Sequence, residues 1–284
     1  LNRLSNRIQT SLIRNNMKIC VVVLTYKSDL YDHFDRIRRK YLETKDVDYY
    51  FLYNGTDKSL SNPKEHNLNY YSYLRHYESP HYPVMWDKFM AFISETAGKY
   101  DYVIRVNSST FVNVDSIIQK IKQLNNREHL YMGHFNGSLC RECRSNCVDV
   151  DAEEVGDYVS NAFYDKDVWI NFTNYSYAHG GCIVFSNATL EKLFELSKTF
   201  KHNPEARMRS DDILIGLGLR EVLKIPLTYL ERYYLSGLTT LPSEKNLSQI
   251  VEEALTYPQI RIRNSNRDLI DKNIWNIIER KLQL

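Results

Sequence analysis

At 284 residues, with 43% hydrophobic and 25% charged content, the chain has the length and composition of one large α/β domain, which excludes a disordered or fibrous protein. Its 37 basic and 35 acidic residues leave a formal charge of only +2, so bulk electrostatic capture of nucleic acid is not expected. No run approaches the roughly 18–20 apolar residues of a membrane-spanning helix, and no signal-peptide pattern opens the chain, so the expected location is cytoplasmic.

The first residue is Leu1, which leaves open a longer multidomain chain or an upstream anchor. In residues 1–16, Leu1, Leu4, Ile8 and Leu12 recur at helical spacing among arginines with no acid. That pattern predicts a basic amphipathic helix, packed on the domain or lying peripherally at a membrane. Next comes "KICVVVLTYKS", a β-branched run that predicts a strand, followed by the helical pattern "LYDHFDRIRRKYL". "VDYYFLYNGT" reads as a second strand closed by the turn pair Asn54-Gly55, and the polar, tyrosine-rich segment 58–83 as a long excursion. "VMWDKFMAFISETAG" predicts a helix with Gly98 as its C-cap. The strand "YDYVIRV" and the helix "VDSIIQKIKQL" follow, separated by Asn107, Ser108 and Ser109.

Further along, "HLYMGHF" and "YAHGGCIVFSN" read as strands, "ATLEKLFELSKTF" as a helix capped by Asn187, and "RSDDILIGLGLREV" as a helix capped by Ser210. "IPLTYL" is a later strand. From Ser243 onward the chain shows two helical patterns around "QIRIRN". The expected organisation is therefore a helix over 1–16, a main domain over 17–242, and a helical extension over 243–284 packed on that domain. Alternating strands and helices predict an α/β fold with a mainly parallel sheet flanked by helices. In such sheets ligands bind beyond the carboxyl ends of the strands, which puts "TYKS", "YNGT" and "NSS" on one rim.

Cys20 and Cys182 fall in apolar, strand-like runs and are expected in the core. Cys140, Cys143 and Cys147 have C-x2-C-x3-C spacing, and with His134 they could complete a tetrahedral structural zinc site; a loop disulfide or free thiols are the alternatives.

The ordered set "MWDKFMAFI", "YDYVIRVNSSTFVNV", "YAHGGCIVFS" and "RSDDILIGLGL" resembles glycosyltransferases of the GT-A fold, nearest to the fringe and β-1,3-galactosyltransferase-like group. The resemblance covers roughly Lys18 to Leu230 and implies a Rossmann-like architecture. It also implies sugar transfer, with inversion, from a nucleotide-sugar donor to a hydroxyl of a glycan or glycoconjugate acceptor. Such transfer needs a base for the acceptor proton and positive charge for the departing diphosphate.

Asp211 and Asp212 match the family's acidic pair and are the expected base, with Asp212 favoured because Asp211 lies closer to the helix cap. The aspartate metal motif of the family is replaced here by Asn107, Ser108 and Ser109, and no histidine follows His202. Amides and hydroxyls hold hard divalent cations poorly without carboxylates, so no cofactor is expected to be required, with Mn2+ or Mg2+ kept open. Lys88, Arg105, Arg261 and Arg263 are the candidate diphosphate partners, and Arg105 should share a strand face with Asn107. Thr25, Tyr26 and Lys27 would receive the nucleotide together with Asn107, Ser108 and Ser109. His179, Gly180 and Gly181 would meet the acceptor. Two alternatives are an inactive sugar- or nucleotide-binding relative and an enzyme holding metal unconventionally through Asp115 or Asp101.

Overall fold

Ile19–Leu24 is an unbroken run of buried apolar residues, as a strand covered on both faces requires. In the computed structural model, which describes residues 17–25, 28–53, 65–67, 83–125, 127–137, 176–198 and 211–284, this run is strand β1 at the heart of a seven-stranded sheet. It pairs in parallel with β2 (Asp48–Tyr53) and β4 (Tyr102–Asn107). β3 (Glu65–Asn67) extends the sheet beyond β2. On the other side, β4 meets β7 (Ser176–Ser186) in the antiparallel sense. β7 then pairs with β6 (Tyr131–Gly137), again antiparallel, and β6 with β8 (Leu227–Tyr229) in parallel. The order is β3-β2-β1-β4-β7-β6-β8, so β7 alone runs against the rest.

Helices cover both faces. On one lie α1 (Asp29–Glu43) and α3 (Val114–Gln123), whose ends are capped by Ser28 and Asn113 accepting from Tyr31 N and Ser116 N. On the other lie α2 (Pro83–Thr96), α4 (Asn187–Lys198) and α5 (Asp211–Gly216), the last continuing as a π-helical turn over Leu217–Val222. Gly98 sits at φ 72° just past α2, the left-handed C-cap its sequence predicts. The cap of α4 is different from the expected one. Ser186 Oγ accepts from Thr189 N at 3.4 Å, while Asn187 Oδ1 instead accepts from Gly98 N at 3.2 Å and ties α4 to the end of α2.

A second sheet of three strands packs on the α1 side: β5 (Thr110–Val112), β10 (Gln259–Arg263) and β9 (Tyr233–Ser236), with β10 in the middle. The C-terminal segment thus contributes a strand between its helices α6 (Glu244–Ala254) and α7 (Lys272–Lys281). Two apolar cores result. In one, Phe34 of α1 stacks on Trp275 of α7 at 5.0 Å. In the other, Phe89 and Phe92 of α2 pack with Phe185, Leu193 and Leu214. The expected helix over 1–16, the turn Asn54-Gly55, Ser210 and all of the excursion except 65–67 and 83 lie outside the described residues; within the excursion, β3 is described.

Candidate active site

Because β1, β2 and β4 are parallel, their carboxyl ends share one rim, and backbone bonds lock it. Thr25 N donates to Leu52 O at 3.1 Å and Ser108 N to Leu24 O at 3.2 Å. Lys88, reaching up from α2, donates to Thr25 O at 2.7 Å and Leu52 O at 3.2 Å. Its burial pushes the ammonium down to about 7.

Beneath the rim runs a buried polar chain. Thr25 Oγ1 donates to Asp35 Oδ2 at 2.7 Å, and Asp35 Oδ1 accepts from Arg38 Nη1 at 2.5 Å. Arg38 Nη2 then donates to two carbonyls of the polar break, Ser108 O at 2.9 Å and Thr110 O at 3.0 Å. The guanidinium lies 4.9 Å from the centre of the Trp275 ring. Burial raises the Asp35 carboxyl to about 6 against the pull of Arg38.

The acids sit where β4, β7 and α5 meet. Arg105 alternates with Ile104 and Val106 and so faces α5 with Asn107, as period two requires. It is 0% exposed. One terminal nitrogen donates to Gly180 O at 2.6 Å and the other pairs with Asp211 Oδ2. Asp212 Oδ2 accepts from Gly180 N at 2.7 Å. A Cβ on Gly180 would stand 3.0 Å from Asp212 Oδ2, 3.2 Å from Arg105 Nη1 and 3.3 Å from Asn107 Nδ2. A side chain at this position would have to push at least one of these three groups aside by a few tenths of an ångström. Asn107 Oδ1 is buried there with no hydrogen-bond partner among the described residues.

The adjacent residue, Gly181, faces the opposite side of β7 and a different set of groups. A Cβ on it would lie 3.1 Å from Thr110 Oγ1, 3.5 Å from His179 Nδ1 and 3.6 Å from Arg232 Nη1. Arg261 of β10 donates to Ser109 Oγ at 2.5 Å and to Thr110 Oγ1 at 3.3 Å. Burial first, and then the charges of Arg263 and Arg267, lower Arg261 to about 10. His179 is held well below the ordinary imidazole value by burial and by the nearby Arg232, Arg261, His134 and Arg105. It is therefore neutral near pH 7, and its Nδ1 accepts from Gly181 N at 3.1 Å.

The structure thus gathers Asn107, Arg105, Gly180, Asp211 and Asp212 on one side of β7, and Ser109, His179, Gly181 and Arg261 on the other. Thr25 and Lys88 lie below the same rim, and Ser108 contributes a carbonyl to Arg38. Arg263 shares the Arg261 face of β10 but is exposed. Tyr26, Lys27, Cys140, Cys143 and Cys147 lie outside the described residues. His134 is 2% exposed and packed between Tyr229 and Tyr234 at 5.6 Å from each ring. Asp115 pairs with Lys45 at 2.7 Å on the α3 surface, and Asp101 accepts from Lys18 N at 2.8 Å at the far end of β4. Neither carboxylate reaches the rim. Arg38 and Arg232 are the functional candidates that sequence reasoning missed. Arg38 reads as one of several charges on a helix face, and Arg232 follows a strand with no local signal.

The family the sequence resembles holds a divalent metal at this rim, and the residues here do not suit one. The break offers an amide and hydroxyls, one of which receives a hydrogen bond from an arginine, and Asp211 is already paired with Arg105. Among the described residues no group of three His, Cys, Asp or Glu side chains is placed to hold an ion.

Polar groups gathered beyond the strand ends of a helix-covered, mainly parallel sheet define an α/β protein with its site at the carboxyl edge. The Fringe-like family model matches residues 32–274, and the chain belongs to that family of glycosyltransferases. No curated protein matches the chain. Among solved structures, it is similar to a glycosyltransferase involved in the glycosylation of the major capsid of PBCV-1, at 10% identity and TM-score 0.45 over 90% of this chain and 97% of that one. It is also similar to the galactosyltransferase LgtC, at 11% identity and TM-score 0.41 over 86% of each chain. A third is the glycosyltransferase GlyE of Streptococcus pneumoniae TIGR4, at 12% identity and TM-score 0.41 over 94% of this chain and 63% of that one.

Proposed function

We propose that this glycosyltransferase moves a sugar from a nucleotide-sugar to a glycan hydroxyl with inversion, using Asp212 as base and arginine in place of a metal ion. The observation that carries the reading is the contact of Arg261 with Ser109 and Thr110. It sets a cation at the break where the resemblance implies a metal-binding aspartate motif. Asp212 removes the proton of the acceptor hydroxyl. The oxygen bonds to the anomeric carbon as the bond from that carbon to the diphosphate breaks, and the diphosphate leaves with its electron pair. Arg261 stabilises the charge that builds on the leaving group, and Asn107 supplies polar contact to the donor. Arg105 acts through Asp211, holding it in place by their ion pair, and so leaves Asp212 as the base. Neutral His179 lines the acceptor side without carrying charge.

The test is release of nucleoside diphosphate from a panel of UDP- and GDP-sugars, with and without EDTA, followed by chromatography. Turnover that persists in chelator and falls in Asp212→Asn is the expected result. Activity abolished by chelator and restored by manganese would overturn the metal-free reading. Full activity in both Asp211→Asn and Asp212→Asn would overturn the base.

A further inference from the structure

On the edge of the sheet that carries the acids, the strands continue past β7 to β6 and β8. Both run in the direction of β4, because β7 is antiparallel to each of its neighbours and β8 is parallel to β6. Tyr229 ends β8 opposite Gly133, and thus lies on the rim shared by Asn107. In the small sheet, Thr110, Arg261 and Tyr234 stand side by side in register across β5, β10 and β9. Neighbouring strands lie about 5 Å apart, so Tyr234 directly flanks the arginine that meets Ser109.

Tyr229 and Tyr234 are large rings, 39% and 40% exposed. His134 packs between them at 5.6 Å from each ring, and Phe135 meets Tyr229 at 5.2 Å. Arg232 lies 4.1 Å over Tyr234 and also reaches the Gly181 face of β7. The result is a small aromatic surface beside Arg261, on the His179 and Gly181 side of β7.

We infer that Tyr229 and Tyr234 form the acceptor platform, stacking on the apolar face of a pyranose ring. A pyranose presents axial C–H groups on one face and hydroxyls around its edge. The electron-rich face of a tyrosine attracts the first. A lipid tail or a protein partner would call for a contiguous apolar patch of several hundred Å2, which two separate rings do not make. This inference rests on the glycosyltransferase reading, for it names the acceptor class of that same site.

The test is saturation-transfer NMR with the methyl α- and β-pyranosides of the common hexoses, with and without saturating UDP. The proteins are the wild type, Tyr229→Phe/Tyr234→Phe and Tyr229→Leu/Tyr234→Leu, with thermal unfolding as the folding control. At least one pyranoside should contact the wild type and the Phe variant through its ring protons. Binding should fall about tenfold or more in the Leu variant, which keeps the apolar bulk and loses the ring face. Equal contact in the Leu variant would overturn the platform, as would no pyranoside contact with the wild type. If UDP binds while no pyranoside does, the platform fails and the donor reading stands. If a pyranoside binds at the tyrosines while no UDP- or GDP-sugar is bound or turned over, the platform stands and the transfer reading fails.

Discussion

Two buried arginine–aspartate pairs lie on opposite faces of the sheet, and they divide the labour of the rim between them. Arg38–Asp35 and Arg105–Asp211 have almost the same burial, with side chains 0–2% and 0–3% exposed. Arg38 turns its second nitrogen to the Ser108 and Thr110 carbonyls, so it sets the shape of the break. Arg105 turns its second nitrogen to Gly180 O, beside the backbone N–H that Asp212 accepts from, so it sets the acids. Desolvation makes either pair a poor source of net stability, yet breaking one leaves an uncompensated buried charge. Their shared value is in fixing where other groups stand.

The comparison can be broken most sharply at the acids. Asp212→Asn should lower kcat by about 10²- to 10⁴-fold, the usual contribution of a general base, with the unfolding midpoint nearly unchanged. Asp211→Asn should show the reverse emphasis, with lost stability and a smaller loss of kcat. Next, Arg105→Met should destabilise the protein by about 3–5 kcal/mol in urea unfolding, because Asp211 would stay buried without its partner. Arg105→Met/Asp211→Leu should recover part of that loss, and a double-mutant cycle reads the coupling.

On the other face, Arg38→Lys keeps the charge but loses the planar fork. It should cost about 1–3 kcal/mol and raise the KM for donor more than it lowers kcat, since it loosens the break rather than the acids. Stability against pH gives the smallest effect. Asp35 is held at about 6, above its ordinary value, so the folded protein binds this proton more tightly than the unfolded chain does. Its contribution is greatest below the ordinary carboxylate value and is lost as pH rises through about 6. Urea unfolding of Asp35→Asn between pH 4 and 7 should show a flatter profile than the wild type over that window.

Much of this arrangement was legible locally. The unbroken apolar run of β1 reads as a strand buried on both faces, and Gly98 reads as a helix stop because a left-handed residue is needed there. Period two was enough to put Arg105 on the Asn107 face. Its partner Asp211 is 106 residues away, and no local pattern carries that pairing. β10 shows the limit differently. Ile260 and Ile262 alternate with Arg261 and Arg263, a strand signal in itself, but it is short and lies between two helical patterns. What makes it a strand is the edge of β5, supplied from far back in the chain, and with it comes the arginine that meets the break.

The central claim is that Arg261 carries the charge a metal would otherwise bring. Calorimetric titration of UDP and GDP into wild type and Arg261→Met, both in EDTA, tests it most directly. The account predicts that one nucleotide binds the wild type in chelator and at least about tenfold more weakly when the guanidinium is gone. Binding that appears only with manganese, or that is indifferent to Arg261→Met, would contradict it.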